Sequence, residues 1–195
     1  MVLGRALFCQ AVDAYNWYCQ EVLKLSIFHN PSNVPAALRS VNSDLDRVLA
    51  TAQKHGVAEA DALLQRFERP VVDSAVRKAI HRHLGIQQEP ETELLCLCRN
   101  ILVHRQGIDQ KGEILSALTA LGSKRSFVGA PSFPKISLPI SVESGNRIKM
   151  TELVGRWVAN FMENQIFGMD QELAHRYSIP RAPMPRLSIS QKIVG

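Results

Sequence analysis

Three side chains suited to acid–base chemistry on an anion, Arg99, Asn100 and His104, lie within one short stretch of the sequence. Histidine titrates at about pH 6.5, so it can give or take a proton near neutrality, whereas arginine is a permanently charged planar donor. The asparagine amide can orient an imidazole or a bound phosphate. Together these groups suit proton transfer and charge stabilisation without a metal ion.

The stretch 91–107 has the apolar spacing of an amphipathic helix. Stepping about 100° per residue, one arc collects the side chains that we expect to face the core. The opposite side carries Arg99, Asn100 and His104 beside Cys96 and Val103. Arg99 and His104 are about 140° apart on a helix, so Arg99 must reach around it or act with His104 of the partner subunit. The predicted core arc contains Leu94, Leu95, Leu97, Cys98, Ile101 and Leu102.

Apolar periodicity predicts further helices on both sides of this stretch. Pro35 is expected to open the second helix, Asp73 or Ser74 to cap the fourth and Thr151 to cap the last long one. Several packed helices and little else predict an all-α bundle. The predicted helical ranges outside the central stretch are 3–28, 35–55, 57–67, 74–84, 113–121 and 151–177.

Between the last two helices the composition changes to Ser, Pro and Gly. Apolar residues alternate at Ile136, Leu138, Ile140 and Val142, which indicates an edge hairpin or an extended arm, with a turn at 144–146. We therefore expect a single helical domain over 1–177 that contains an insert at 123–150. The basic, proline-containing segment 178–195 is expected to be a flexible tail.

Length and composition place the chain among ordinary globular proteins. It has 195 residues, 46% of them hydrophobic and 21% charged, and a net charge of +5 that mildly favours polyanionic partners. No apolar run approaches the roughly 20 residues that span a bilayer, and no signal peptide is evident. The four cysteines fit neither a disulfide framework nor a zinc site, so we expect reduced thiols. A soluble cytoplasmic protein without membrane contact follows as an expectation.

The run Arg99-Asn100-Ile101-Leu102-Val103-His104, followed by Arg105-Gln106-Gly107-Ile108-Asp109, resembles the R-x4-6-H motif of the HEPN family, the higher eukaryote and prokaryote nucleotide-binding domains. The likeness includes the polar residue directly after the arginine, the apolar residues between, and the glycine-containing turn after the histidine. It covers about 20 residues of the chain.

The resemblance implies a HEPN-like helical bundle that dimerises so that two motifs face one cleft. Many members of the family are metal-independent endoribonucleases of toxin–antitoxin, abortive-infection and other defence systems. The implied catalytic residues are Arg99, Asn100 and His104 of a homodimer that needs no metal and no cofactor, with RNA as substrate. Arg105 and Lys111 are candidates for RNA contact, and an antitoxin or defence-system protein is a candidate partner. The alternative is a non-catalytic module that binds nucleotides, RNA or protein.

Ordinary structural roles compete with each of these assignments. Arg99 could be an ion-pair partner and His104 a helix-end residue that favours the dipole. The two histidines of the His81-Arg82-His83 run are predicted to lie at the surface. Three aromatic side chains could stack on bases, but their helical spacing favours the core. They are Trp17, Trp157 and Phe161.

Overall fold

The computed structural model describes residues 2–67, 71–88, 90–123, 140–150 and 153–179. Within these ranges the chain forms seven α-helices and one two-stranded antiparallel hairpin, which lies before the last long helix. The predicted all-α class is therefore confirmed. The helices are α1 (Val2–Phe28), α2 (Ser43–His55), α3 (Val57–Arg66), α4 (Ser74–Leu84), α5 (Pro90–His104), α6 (Glu113–Ser123) and α7 (Val154–Tyr177), and the strands are β1 (Ile140–Glu143) and β2 (Arg147–Met150).

The long helix α1 lies at the centre of the packing. It packs along α7 and also contacts α2, α4 and α5. Its buried side chains recur every three or four residues, which places them on the side of the helix that faces the core. They are Phe8, Val12, Tyr15, Cys19, Val22, Leu23, Ser26 and Ile27.

The second helix begins later than the sequence suggested. A short 3-10 helix, Ala36–Leu38, lies in the segment that was predicted to be α-helical from Pro35, and another, Pro31–Asn33, precedes it. Asn42 then caps α2, because its side-chain oxygen accepts a hydrogen bond of 2.8 Å from the Leu45 amide. The apolar residue Leu38 fits the helical period but packs into the core from a 3-10 helix.

Two caps of α4 agree with the prediction. The Asp73 carboxylate accepts a hydrogen bond of 2.9 Å from the Val76 amide at the start of the helix. Gly85 ends the helix with a φ of 74°, in the left-handed region that glycine adopts without strain. These local signals depend on neighbours in the chain, so they could be recognised without tertiary information.

The hairpin forms where alternation and a turn were predicted. Ile140 pairs with Met150 and Glu143 with Arg147, and residues 144–146 make the turn. Ile140, Ile148 and Met150 are buried, which fixes the register because a shift by one residue would expose them. The predicted extended positions Ile136 and Leu138 lie outside the described residues.

Three predicted exposures were wrong. Trp17, and Leu153 on the predicted buried face of the last helix, were expected in the core but are 64% and 69% exposed, and His81 was expected at the surface but is 2% exposed. The periodicity of a helix gives relative angles only, so the number of neighbours packed around it decides how wide its buried arc becomes. Helices α4 and α5 are covered on more sides than their apolar patterns indicate.

Other expectations fall outside the described ranges. The Thr151 cap and most of the predicted tail, residues 180–195, belong to this group. Within the described ranges, no helix has the length and apolar character needed to cross a membrane.

Candidate functional site

Helix α5 carries the motif, and its first half is anchored by a largely buried ion pair, in which 9% of the Arg77 side chain and 25% of the Glu93 side chain are exposed. The guanidinium of Arg77, on α4, donates two hydrogen bonds to the Glu93 carboxylate, at 2.9 Å from Nε and 2.8 Å from Nη2. Gln88 donates a further hydrogen bond of 2.7 Å to Glu93, and Arg77 Nη1 donates one of 3.2 Å to the Asn16 side chain on α1. Three helices therefore meet at one polar cluster.

The pKa values of this pair follow from its geometry. Burial raises the pKa of the Glu93 carboxyl, but the hydrogen bonds and charge of Arg77 outweigh it, so the pKa lies below its usual 4.5. Burial lowers the pKa of Arg77, and the bonds to Glu93 more than compensate, so its pKa is raised. Both groups therefore remain charged at neutral pH, and the bidentate pair fixes α5 against α4.

Helices α1 and α5 run antiparallel beside each other. The Cys96 Sγ atom is 3.8 Å from Asn16 Oδ1, and three residues further along α5 the Arg99 Nε atom is 2.7 Å from Oδ1 of Asp13. Eight residues further still, Arg5 Nη2 lies 3.0 Å from the point that a Cβ atom on Gly107 would occupy. Each step along the chain from Cys96 to Gly107 is thus matched by an equal step back along α1.

Arg99 is held by α1 and does not contact His104. Its contact with Asp13 is an ion pair whose angle falls outside that of a hydrogen bond, and its Nη1 atom donates to Asn100 Oδ1 at 3.3 Å. The Arg99 side chain keeps 24% of its surface exposed. The alternative of an ion-pair role for Arg99 is therefore realised within the single chain, while the guanidinium still faces solvent.

An exposed stripe occupies the second half of α5. Asn100, Val103 and His104 are exposed, and Val103 exposes 49% of its surface. No hydrogen bond or ion pair joins the His104 ring to another described residue. The predicted grouping of these side chains on one face is confirmed, except that Cys96, also assigned to that face, is buried beside Asn16.

The turn after His104 connects the motif to the hairpin. Gln106 and Gly107 have φ values of 54° and 81°, and the Gly107 amide donates to the Ile101 carbonyl at 3.0 Å, which closes the helix end. The Gly107 carbonyl then accepts a hydrogen bond of 2.9 Å from the Ile148 amide of β2. The end of the motif is therefore fixed by tertiary hydrogen bonds.

Asp109, two residues further on, is fully buried and caps α6. Its carboxylate accepts hydrogen bonds of 2.9 Å from the Glu113 amide and 2.8 Å from the Ile114 amide. Its own amide donates to the Asn146 carbonyl in the hairpin turn at 2.8 Å. Asp109 thus has a structural role in the Gly-containing turn.

The two residues predicted to contact RNA differ in their surroundings. Arg105 Nη1 is 2.7 Å from Glu113 Oε2, so its charge is paired within the chain. Lys111 is exposed on the loop before α6, and no described residue forms an ion pair with it. Of the two, Lys111 offers the unpaired cation.

A cavity of about 600 Å³ opens beside the motif turn. Its walls are the first turns of α1, the hairpin, the first turn of α7, and Gln106 with Gly107. Two of the lining residues bring α1 and α7 close together, since a Cβ atom on Gly155 would lie 3.0 Å from the Leu7 Cβ. Sequence reasoning missed this cavity because its walls come from four separate segments.

Burial keeps the thiols protonated. It raises the pKa of Cys96 to about 11 and that of Cys19 to about 12, and all four cysteines are free. The prediction of reduced thiols is confirmed. Across the described part of the chain, no group of three or more His, Cys, Asp and Glu side chains is placed to hold a metal ion.

The residues that sequence reasoning missed are chiefly charged partners on other helices. Asp13 pairs with Arg99, and Arg77 and Glu93 form the buried pair. The only signal in the sequence was the presence of these charges among apolar helical residues, which does not identify partners 16 to 86 residues apart.

The chain was compared with protein-family models, with curated proteins and with solved structures, and none of the three comparisons finds a match.

Proposed function

We propose that this protein is a metal-independent endoribonuclease that acts as a homodimer with composite active sites, as its resemblance to the HEPN family implies. The observation that carries the proposal is the exposed His104 ring, which has no partner among the described residues and lies one turn beyond Asn100 on a firmly anchored helix. An imidazole in this position is available to a substrate.

The chemistry assigns one task to each side chain. His104 takes the proton from a 2′-hydroxyl or gives one to the leaving 5′-oxygen, and Arg99 stabilises the charge that develops on the phosphorus oxygens. Asn100 orients the imidazole or the phosphate. Asp13 engages Arg99 Nε and Asn100 engages Nη1, which leaves Nη2 for a phosphate oxygen.

A second subunit completes the site. One histidine cannot act as base and acid within the same cleavage step, and Arg99 lies about 140° around the helix from His104. A two-fold pairing of the exposed α5 faces brings Arg99 of one protomer towards His104 of the partner subunit and adds the second imidazole. The exposed Val103, between these two side chains on the helix surface, is an apolar contact for such a pairing.

The biological role follows from the resemblance alone. We propose a cytoplasmic toxin or defence effector with RNA as substrate and an antitoxin or other defence-system protein as partner. The net charge of +5 is favourable for RNA binding.

Incubation of the purified protein with RNA in EDTA tests the activity. Cleavage is expected for the wild type and is expected to be lost in Arg99→Ala and His104→Ala. Arg82→Ala, at an exposed arginine on α4, is the matched control and should cleave normally. Cleavage by both site variants, or a requirement for a metal ion, contradicts the proposed mechanism.

Mixed dimers test the composite site. Wild-type chains are co-expressed with increasing amounts of His104→Ala chains. If each cleavage centre needs the imidazoles of both subunits, only dimers of two wild-type chains are active, so activity falls with the square of the fraction of wild-type chains. A linear decrease means that each protomer works alone and contradicts the composite site. Sedimentation measurements on the same samples establish whether the chains are dimeric.

One observation favours the second candidate function, a non-catalytic module that binds RNA, nucleotides or protein. Arg99 is already paired with Asp13, as it would be in a structural role. Under this alternative the protein binds RNA without cleaving it, and His104→Ala leaves RNA affinity unchanged. Binding and cleavage measured on one labelled RNA distinguish the two candidates.

A further inference from the structure

The cavity beside the motif turn is lined by several cations, and most of them are unpaired. Arg5, Arg147 and Arg156 come from α1, β2 and α7 respectively. In the part of the chain that the structure describes, none of the three forms a side-chain hydrogen bond or an ion pair. Three guanidinium groups around one concave space repel each other unless an anion joins them.

The acidic residue in the cavity wall does not neutralise these arginines. Glu143 lies opposite Arg147 in the strand register, yet its carboxylate is 2.7 Å from the Lys149 ammonium. The pKa of Lys149 is raised by its hydrogen bond with Glu143. The Lys149–Glu143 pair is therefore internally balanced, and the net positive charge of the cavity comes from the arginines.

The start of α7 adds to the positive potential. Among the described residues, its first turn contains no acidic side chain, and Leu153 at the N-cap position forms no side-chain capping bond. The amides at the beginning of a helix have no acceptors within the helix, and the dipole favours an anion there. This contribution is secondary to the arginines.

The remaining walls indicate which part of a nucleic acid would fit. The described lining residues include exposed aliphatic side chains such as Leu3 and Leu153 but no aromatic ring. Bases of single-stranded RNA are usually held by stacking on aromatic rings, whereas the planar fork of arginine matches phosphate oxygens. The cavity therefore suits the phosphate backbone and offers no platform for a base.

We propose that this cavity binds backbone phosphates of the RNA strand next to the cleavage centre, through Arg5, Arg147 and Arg156. The assignment rests on the proposed function for the identity of the ligand. Gln106 and Gly107, which line the cavity, are two and three residues beyond His104, where the helix ends, so a strand leaving His104 meets the cavity next. Such contacts hold the strand in position without regard to its sequence.

The test measures RNA binding by the full chain carrying His104→Ala, so that the strand stays intact. Arg147→Ala and Arg156→Ala are added together, because both side chains are exposed and neither has a described partner. The matched control adds Arg47→Ala and Arg82→Ala, at two exposed arginines on α2 and α4. Labelled single strands of two unrelated sequences are titrated by fluorescence anisotropy over a range of salt concentrations.

We expect the cavity variant to bind both strands about tenfold more weakly at low salt, since two phosphate contacts are removed. The slope of log affinity against log salt should become shallower by about 0.7 for each lost contact. The control should change neither quantity beyond the general effect of two lost charges. Equal losses in the control and the cavity variant, or a loss for only one of the strands, would overturn the proposal.

The design separates this inference from the nuclease itself. If the wild type cleaves RNA and the Arg147→Ala/Arg156→Ala enzyme keeps the same KM and salt dependence, the cavity assignment is wrong and the nuclease stands. If the wild type does not cleave but the cavity variant loses RNA affinity as expected, the nuclease is wrong and the phosphate site stands. Poly-glutamate is added as a competitor, and displacement of RNA at equal charge concentration would show general anion binding and overturn the phosphate assignment.

Discussion

The polar side chains in the two halves of α5 have opposite environments. In the first half, Glu93 is enclosed with Arg77 and also receives a hydrogen bond from Gln88. In the second half, Arg99 is paired at the surface with a half-exposed Asp13, and His104 has no partner among the described residues. One helix therefore carries a structural polar cluster at one end and chemically available groups at the other.

The difference shows how side chains that are available to a ligand can be positioned by contacts that other side chains of the same helix make. The buried pair anchors α5 through bonds that leave no charge for a ligand, because both members are satisfied within the chain. The exposed face of the second half contributes little to folding, since surface ion pairs are worth at most about 1 kcal/mol, whereas Ile101 and Leu102 of the same half are buried in the core. Its side chains can therefore be selected for chemistry.

Removal of Arg77 should have the largest effect on stability. Arg77→Ala leaves the Glu93 carboxylate, three-quarters of which is buried, without its ion-pair partner, so we expect the free energy of unfolding to fall by about 3 kcal/mol. Urea unfolding followed by circular dichroism measures the change. The double variant Arg77→Met/Glu93→Leu removes both charges and should lose much less. A single variant as stable as the double variant would mean that the cluster does not anchor α5.

His104→Ala should give the converse result. Loss of a general acid–base group lowers the cleavage rate by about 10²–10⁴-fold. The free energy of unfolding should change by no more than about 0.5 kcal/mol, because the ring is exposed and has no described partner. Initial rates and urea unfolding are measured on one preparation. A variant that is both inactive and strongly destabilised would indicate that His104 stabilises the fold, as Glu93 does in the first half of the helix.

The acid stability of the fold should depend on the buried half. Glu93 has a lowered pKa in the folded chain, so the unfolded chain takes up its proton first as the pH falls. Its contribution is complete above the usual pKa of 4.5 and is lost as the pH falls through the lower folded value. We therefore expect wild-type stability to fall more steeply below about pH 4.5 than that of Arg77→Met/Glu93→Leu. Parallel pH profiles would contradict this.

Asp13→Asn should have only a small effect on stability. It removes the charge that pairs with Arg99, and both side chains are partly exposed, so a loss of less than about 1 kcal/mol is expected. RNA affinity should increase slightly at low salt, because the positive charge of Arg99 is no longer paired and the protein carries one negative charge fewer. Unfolding and anisotropy titrations measure the two effects. A loss comparable to that of Arg77→Ala would remove the contrast between the two halves.

Local signals allowed the elements to be predicted, while the environment of several side chains was misjudged. The caps of α4, the hairpin turn and the grouping of Asn100, Val103 and His104 depend on residues close in sequence. His81 was assigned to the surface, yet its ring lies 3.0 Å from the Tyr15 hydroxyl in the core. A contact with a partner 66 residues away cannot be recognised from the local spacing of apolar residues.

The same limit applies to the site. The sequence by itself determined that Asn100 and His104 share one helix face, because the helical repeat fixes the angle between positions four apart. Only the tertiary structure decided that Asp13 reaches Arg99, that Arg77 neutralises Glu93, and that three arginines from separate elements surround one cavity. The angle between two side chains around one helix follows from backbone geometry, whereas contacts between helices depend on how the whole chain buries its apolar surface.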